Sequence, residues 1–213
     1  MDSTLTFNAI VLGDFGVGKT SLLNKYNSYM TLSPVPNLKE VILQDKSVNV
    51  KFRDTGSLEM LGTLPSPYYK NAQAVVFVYD ITKFESFENL EKWRKRMESH
   101  LGSEELGKIY GVVVGTKVDL VQNREVDDAY ARFWASKYGY PHFEVSSGDK
   151  LSVEMALNKV EQLFVEDQLR REKLQKESEE LKRSLSASPR RSRRTLTSFL
   201  SYFDFCGCTF AYR

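Results

Sequence analysis

Near the start of the chain, Gly13-Asp14-Phe15-Gly16-Val17-Gly18-Lys19-Thr20 constrains the fold more than any other feature. The segment has the spacing GxxxxGK[ST]. It stands between a short apolar run, residues 6–12 (TFNAIVL), and a segment of helical pattern, residues 21–26. Glycines in such a loop let backbone N–H groups converge on an anion, and the next helix adds the positive end of its dipole. Lys19 is then placed to reach terminal phosphates, and the Thr20 hydroxyl is a ligand for Mg²⁺. Strand, loop and helix agree, so the whole segment is predicted to cradle phosphate.

The rest of the chain supports that context. Residues 74–79 (AVVFVY) and 109–114 (IYGVVV) are apolar runs rich in β-branched and aromatic residues, the signature of buried parallel strands. Between them, residues 87–97 (FENLEKWRKRM) and 128–138 (DAYARFWASKY) pair an apolar stripe with a charged face, which predicts helices. Alternating strands and helices give an α/β class. Residues 41–43 and 48–52, separated by Gln44-Asp45-Lys46-Ser47, are predicted to form an antiparallel hairpin at one edge of the sheet. Ser152 is the expected N-cap of a last helix running through Val160, Leu163 and Phe164, and no proline or glycine interrupts the chain from there to Pro189. Leu169, Leu174 and Leu181 amid charged residues form too weak a heptad for a coiled coil, so a solvated helical extension is expected.

Composition narrows the class. The chain has 213 residues, 41% hydrophobic and 27% charged, which matches a soluble domain with an appendage and excludes collagen-like, disordered or multi-span chains. The start Met1-Asp2-Ser3 lacks a basic leader and no apolar run of about 18 residues occurs, so a cytosolic protein is expected. Net charge is +2, but Lys182, Arg183, Arg190, Arg191, Arg193 and Arg194 are six of the 30 basic residues. The remaining 24 face 28 acids, a net of −4, which argues against a nucleic-acid groove in the folded domain. Cys206 and Cys208, one residue apart, suit neither a structural disulfide nor a four-ligand zinc site. His100 and His142 have no ligand-spaced partner in sequence and receive no role. Trp93, Phe133 and Trp134, with Tyr68-Tyr69, are expected to pack in the core.

Thr116-Lys117-Val118-Asp119 comes after the run at 109–114. An aspartate at such a strand end can accept two hydrogen bonds from an edge offering adjacent N–H and NH₂ donors, and guanine has that edge. Strand ends that open into a crevice are where ligands bind in open α/β sheets.

Across residues 7–164 the sequence resembles the Ras superfamily of small GTPases, most closely the Rab branch. The motifs that carry the resemblance are GDFGVGKTSLLNKY, DTGSLE, PYYKNAQAVVFVYDIT, GTKVDL and FEVSSG, in the family's order. It implies a G domain over residues 1–167: a mostly parallel six-stranded sheet with helices on both faces and one antiparallel edge strand. A helical extension, 168–185, and a basic, aromatic tail, 186–213, would come after it. The family binds GTP or GDP with Mg²⁺, works with effector and exchange-factor proteins, and sits peripherally on the cytosolic face of intracellular membranes in vesicle traffic. By resemblance Asp119 reads guanine, Lys117 packs over the phosphate loop, and Ser146-Ser147 form the second base-contact segment. Asp54 lies on the Mg²⁺ side. Thr116 and Lys117 belong with Asp119 to the guanine-binding segment, Thr116 standing where the family usually has asparagine, and Gly148 stands where it has lysine. Tyr29 is a further candidate to flank the base.

Departures cluster at the catalytic end, where the family relies on positioning and charge stabilisation. Its DTAGQ is here Asp54-Thr55-Gly56-Ser57-Leu58, so Leu58 replaces the glutamine that orients the attacking water. Ser57 replaces a glycine whose N–H meets the γ-phosphate, and Phe15 puts a ring where the branch has a small residue. All three point to very slow hydrolysis. Thr31 falls at the family's switch threonine for Mg²⁺, with Ser33 the competitor, and Pro34 and Pro36 stiffen the adjoining connector. Arg53 replaces an aromatic on the effector-reading patch. A monomer is expected. The alternative is a non-switching GTPase-fold module that recruits partners as a scaffold.

Beyond Leu185 the chain is Ser-, Arg- and aromatic-rich, a composition that builds no core. Lys182 and Arg183 just before this stretch, with Arg190, Arg191, Arg193 and Arg194 within it, would contribute up to roughly 6 kcal/mol toward an anionic membrane, with Phe199, Phe203, Phe205 and Phe210 adding apolar burial. Cys206 and Cys208 are lipidation candidates: Thr209 to Arg213 come after them, which departs from a terminal prenylation signal, while palmitoylation needs no terminal position. The thiols are prenylated, palmitoylated or free.

Overall fold

A computed structural model describes residues 5–27, 38–43, 46–56 and 64–187. Thr31, Ser33, Ser57, Leu58, Cys206 and Cys208 lie outside the described residues, as do Tyr29, Pro34, Pro36 and the tail from 188 onward. The chain divides into two compact units, Met1–Gln168 and Leu169–Arg213.

Among the described residues six strands form one sheet: β1 Leu5–Leu12, β2 Leu38–Leu43, β3 Lys46–Asp54, β4 Ala74–Asp80, β5 Tyr110–Thr116 and β6 His142–Glu144. Their order is β2-β3-β1-β4-β5-β6, with β2 antiparallel to β3 and every other pair parallel. The helices are α1 Lys19–Asn27, α2 Ser66–Lys70, α3 Phe84–Leu101, α4 Ser103–Leu106, α5 Asp128–Lys137 and α6 Lys150–Ala187.

Alternate residues of the central strands face two cores, the period-2 geometry of a pleated sheet. Phe7, Ala9 and Val11 of β1 join Val76 and Val78 of β4 against Leu22, Leu23 and Tyr26 of α1 and Val153, Leu157 and Phe164 of α6. Ile10 and Leu12 with Val75, Phe77 and Tyr79 face Leu90, Trp93 and Met97 of α3 and Ala131 and Ala135 of α5. Helices therefore cover both faces, which is why the strands read as continuous apolar runs.

Three expectations need correction. Ser152 lies inside α6, not at its cap. Asp149 does the capping: its carboxylate accepts from the Leu151 N–H at 3.0 Å, while the Ser152 hydroxyl donates to the Asp149 carbonyl at 3.0 Å. Phe133 is not in the core; it is 70% exposed. Finally, His142 does meet carboxylates. Its side chain is only 3% exposed, with Nδ1 3.6 Å from Asp128 Oδ1 and Nε2 2.9 Å from the Tyr79 hydroxyl. Glu144 is close by, held by Arg124 through two contacts of 2.6 and 2.7 Å.

Burial pushes the His142 imidazole below its ordinary pKa; Asp128 and Glu144 oppose this, while Arg132 and Arg124 reinforce it. The unfolded chain therefore takes up the proton more readily, and stability rises with pH. The contribution is complete above about pH 6.5, the unfolded value, and is lost as pH falls below it. The urea midpoint is expected to drop between about pH 7.5 and 5.5, and His142→Gln to flatten that dependence. An unchanged slope in the variant would assign the effect to other groups.

Candidate functional site

In this topology the chain runs from β1 outward in both directions, to β3 on one side and β4 on the other, so the carboxyl ends of these strands open a crevice. The described residues among those singled out in sequence gather there, joined by Asp80, which sequence reasoning passed over. Gly13 comes directly after β1, Asp54 ends β3, Asp80 ends β4 and Thr116 ends β5.

The phosphate loop is tightly specified. Gly13 has φ +155°, and a Cβ there would sit 2.0 Å from the Val78 carbonyl oxygen, so only glycine lets the loop cross β4 this closely. Gly16 and Gly18 adopt φ of 78° and 99°. The Lys19 side chain is nearly buried, and Nζ donates to the carbonyls of Gly13 at 2.9 Å and Asp14 at 2.6 Å. The ammonium is thereby folded back over the loop. Val17 is buried beneath it, while Phe15 is 64% exposed at the rim. Phe15, Gly16, Gly18, Lys19, Thr20, Ser21 and Gly56 line an open cleft of about 480 Å³.

At one side of that cleft the Thr20 hydroxyl donates to Asp54 Oδ2 at 2.7 Å, and Asp54 Oδ1 accepts from the Gly56 N–H at 2.9 Å. A hydroxyl and a carboxylate at this spacing are two hard oxygen donors, the chemistry that suits Mg²⁺. Fixing Asp54 through Gly56 leaves Oδ2 directed at Thr20.

The opposite side is built from β5 and the loop after β6. The Thr116 hydroxyl lies 2.5 Å from the Val17 carbonyl and 3.0 Å from that of Tyr79, strapping the phosphate loop to the sheet. Lys117 is the single described non-glycine residue with positive φ, 63°. Its Nζ pairs with buried Asp80 at 2.5 Å. Burial alone would raise the Asp80 pKa, but hydrogen bonds from Lys117 and Thr82 outweigh it and hold the carboxyl below its ordinary range. Asp119 is exposed and accepts from the Ser146 hydroxyl at 2.6 Å, while Ser146 Oγ also accepts from the Gly148 N–H at 3.1 Å. Ser146 is thus brought to Asp119; Ser147 is exposed beside it.

Asp80, Asn89 and Trp93 join the site without a sequence signal for that role. The Asp14 carboxylate accepts from the Asn89 side-chain amide at 2.6 Å and the Trp93 indole N–H at 2.8 Å, anchoring the phosphate loop to α3. Trp93 was expected only as core; it is buried, yet its polar edge reaches a loop 79 positions away.

A glycine-bounded loop opening onto a helix at the carboxyl edge of β1, with hard oxygen ligands beside it, defines an α/β domain of the P-loop nucleotide-binding class. The sequence model of the Ras family matches residues 8–166. Relatives include the GTP-binding protein yptV5 of Volvox carteri, 35% identical over 74% of this chain and 86% of its own. Ras-related protein Rab7 of Drosophila melanogaster is 37% identical over 69% of this chain and 74% of its own, and Ras-related protein Rab-7a of Dictyostelium discoideum 35% over 71% and 78%. The chain belongs to the Ras family.

Proposed function

We propose that this protein is a Rab-like guanine-nucleotide switch of intracellular membrane traffic whose own GTP hydrolysis is strongly impaired. The observation that carries the reading is the convergence of the phosphate loop, the Thr20–Asp54 pair and the Asp119–Ser146 pair along one crevice. Relatives described as GTP-binding and Ras-related Rab proteins support it.

In this reading the loop N–H groups and Lys19 hold the phosphates, Thr20 and Asp54 hold Mg²⁺, with Thr31 or Ser33 a third candidate, and Asp119 reads the guanine edge. When bound, Mg²⁺ neutralises charge on the phosphate oxygens. Thr116 keeps the loop fixed to β4 and β5, but its hydroxyl faces the Val17 and Tyr79 carbonyls and so adds no base contact of its own. Base recognition then rests on Asp119, oriented by Ser146. Asp119→Asn is expected to lower GTP affinity about 10²-fold, because an amide NH₂ would confront the guanine N–H donors. The same variant gains affinity for xanthosine triphosphate, whose C2 carbonyl accepts that NH₂. Competition titrations with both nucleotides test this.

Slow hydrolysis is proposed from Leu58, Ser57 and Phe15, with effectors and exchange factors acting on the domain and the basic tail meeting an anionic membrane. The second reading, a non-switching module, is motivated by Pro34 and Pro36. Limited proteolysis over residues 31–38 separates the two. A switch gives different cleavage with GDP and with a non-hydrolysable GTP analogue, whereas identical patterns would favour the fixed module.

A further inference from the structure

Exposed aromatic side chains stand on both α3 and α5. Phe84 on the first turn of α3 is 38% exposed, and Tyr130 and Phe133 on α5 are 52% and 70% exposed. Two of them are in contact: Phe84 and Tyr130 stack with ring centroids 6.4 Å apart, and Tyr130 packs at 5.4 Å on Phe87, which is itself buried. Tyr130 and Phe133 are three residues apart on one helix, so they share a face. Scattered apolar residues on a surface need no explanation, but a connected aromatic patch marks a contact site.

Carboxylates surround it. Exposed Glu85 and Glu88 lie on the first turns of α3. Glu125 accepts from the Phe84 N–H at 2.9 Å, and Asp127 caps α5 by accepting from the Tyr130 N–H at 3.1 Å. The cations on these segments are Lys83, beside Phe84 in sequence, Lys92, one turn beyond Glu88 on α3, Lys137, one turn beyond Phe133 on α5, and Arg132, which is paired with Asp128 at 2.7 Å. Glu85, Glu88, Glu125 and Asp127 outnumber Lys83, Lys92 and Lys137, so the rim is net negative and favours a cationic partner over an anionic lipid surface.

We propose that this α3–α5 face docks a basic amphipathic helix of a partner protein, with apolar anchors entering among Phe84, Tyr130 and Phe133 and flanking lysines or arginines meeting Glu85, Glu88 and Asp127. Two neighbouring helices with an apolar seam offer the helix-in-groove mode of recognition, read by anchors at i, i+3, i+4 and i+7. The acidic rim sets the sign of the partner and contributes mostly to encounter rate and selectivity, while the aromatic centre supplies affinity. None of Phe84, Tyr130 and Phe133 lines the phosphate cleft, so the proposal does not rest on the proposed hydrolysis defect.

The probe is a synthetic amphipathic peptide of about 18 residues, leucine and phenylalanine on one face and lysine on the other, compared with a peptide of the same apolar face carrying glutamate. Binding to the full chain is read by amide chemical shifts and by anisotropy of labelled peptide. The lysine peptide is expected to bind, with shifts confined to α3 and α5, and the glutamate peptide to bind at least about tenfold more weakly. Phe133→Ser, at an exposed position, should leave the thermal midpoint unchanged and weaken the lysine peptide about tenfold. Glu88→Lys should weaken it and reduce its salt dependence. Equal binding of both peptides, or of wild type and Phe133→Ser, would overturn the proposal. Self-association in sedimentation velocity that is lost in Phe133→Ser would overturn the choice of occupant in favour of a second copy, and binding to phosphatidylserine vesicles lost in the same variant would overturn it in favour of a membrane.

Discussion

Replacing Leu58 by glutamine is expected to raise single-turnover hydrolysis of bound GTP by about 10²-fold, the usual scale for one transition-state hydrogen-bonding group. Phosphoryl transfer asks little covalent chemistry of the protein; rate comes from placing a water in line and stabilising charge on the transferring group. A leucine side chain has no donor or acceptor with which to hold water, and in the proposed reading the nucleophile therefore lacks an orienting group. The proposal gives Phe15 a second part in slowing hydrolysis: its ring stands at the rim of the phosphate cleft and is 64% exposed there. Phe15→Ser alone should help little, since it clears space without supplying an orienting group, whereas the double variant should exceed Leu58→Gln. Radiolabelled GTP loaded onto purified protein and monitored by chromatography gives the rates. No gain in either Leu58 variant would remove this explanation of slow turnover.

Lys19→Met is expected to lower affinity for both GTP and GDP by about 10³-fold. Two charge-assisted hydrogen bonds at about 1.5–3 kcal/mol each account for roughly 4 kcal/mol, and each 1.4 kcal/mol is tenfold. The Lys19 ammonium is already placed by the Gly13 and Asp14 carbonyls at 2.9 and 2.6 Å, so little ordering cost remains when phosphate arrives. Methionine keeps the aliphatic stem that fills this nearly buried position, which separates loss of charge from loss of packing. Isothermal titration with each nucleotide reads the change. If GDP binding survives within about tenfold, Lys19 is not the principal phosphate contact.

Legibility in the sequence depended on range along the chain. The phosphate loop was readable because its requirements are local: glycine at positions of positive φ or close approach, and a lysine and threonine at the start of α1. The parallel strands were readable because burial on both faces makes them unbroken apolar runs. Boundaries were less so. The strand β6 spans three residues and carries too little pattern to register, and α3 begins at Phe84, before the periodic stripe at 87–97. The Ser152 cap was misplaced because serine and aspartate compete for that role and Asp149 stood three residues earlier. Tertiary relations were not readable at all. Asp14 meets Trp93 and Asn89, and His142 meets Asp128, only because the sheet order brings them together. Phe133 looked like core because exposed and buried aromatics have the same period on a helix, and only packing reveals which stripe faces outward.

A switch held in its GTP state by Leu58, Ser57 and Phe15 is tested most directly by the nucleotide that accompanies natively purified protein, released and identified by chromatography, then monitored over time with Mg²⁺. Guanine nucleotide is expected in near-stoichiometric amount, with bound GTP persisting far longer in wild type than in Leu58→Gln. An empty site, or GTP converted to GDP equally fast in both proteins, would contradict it.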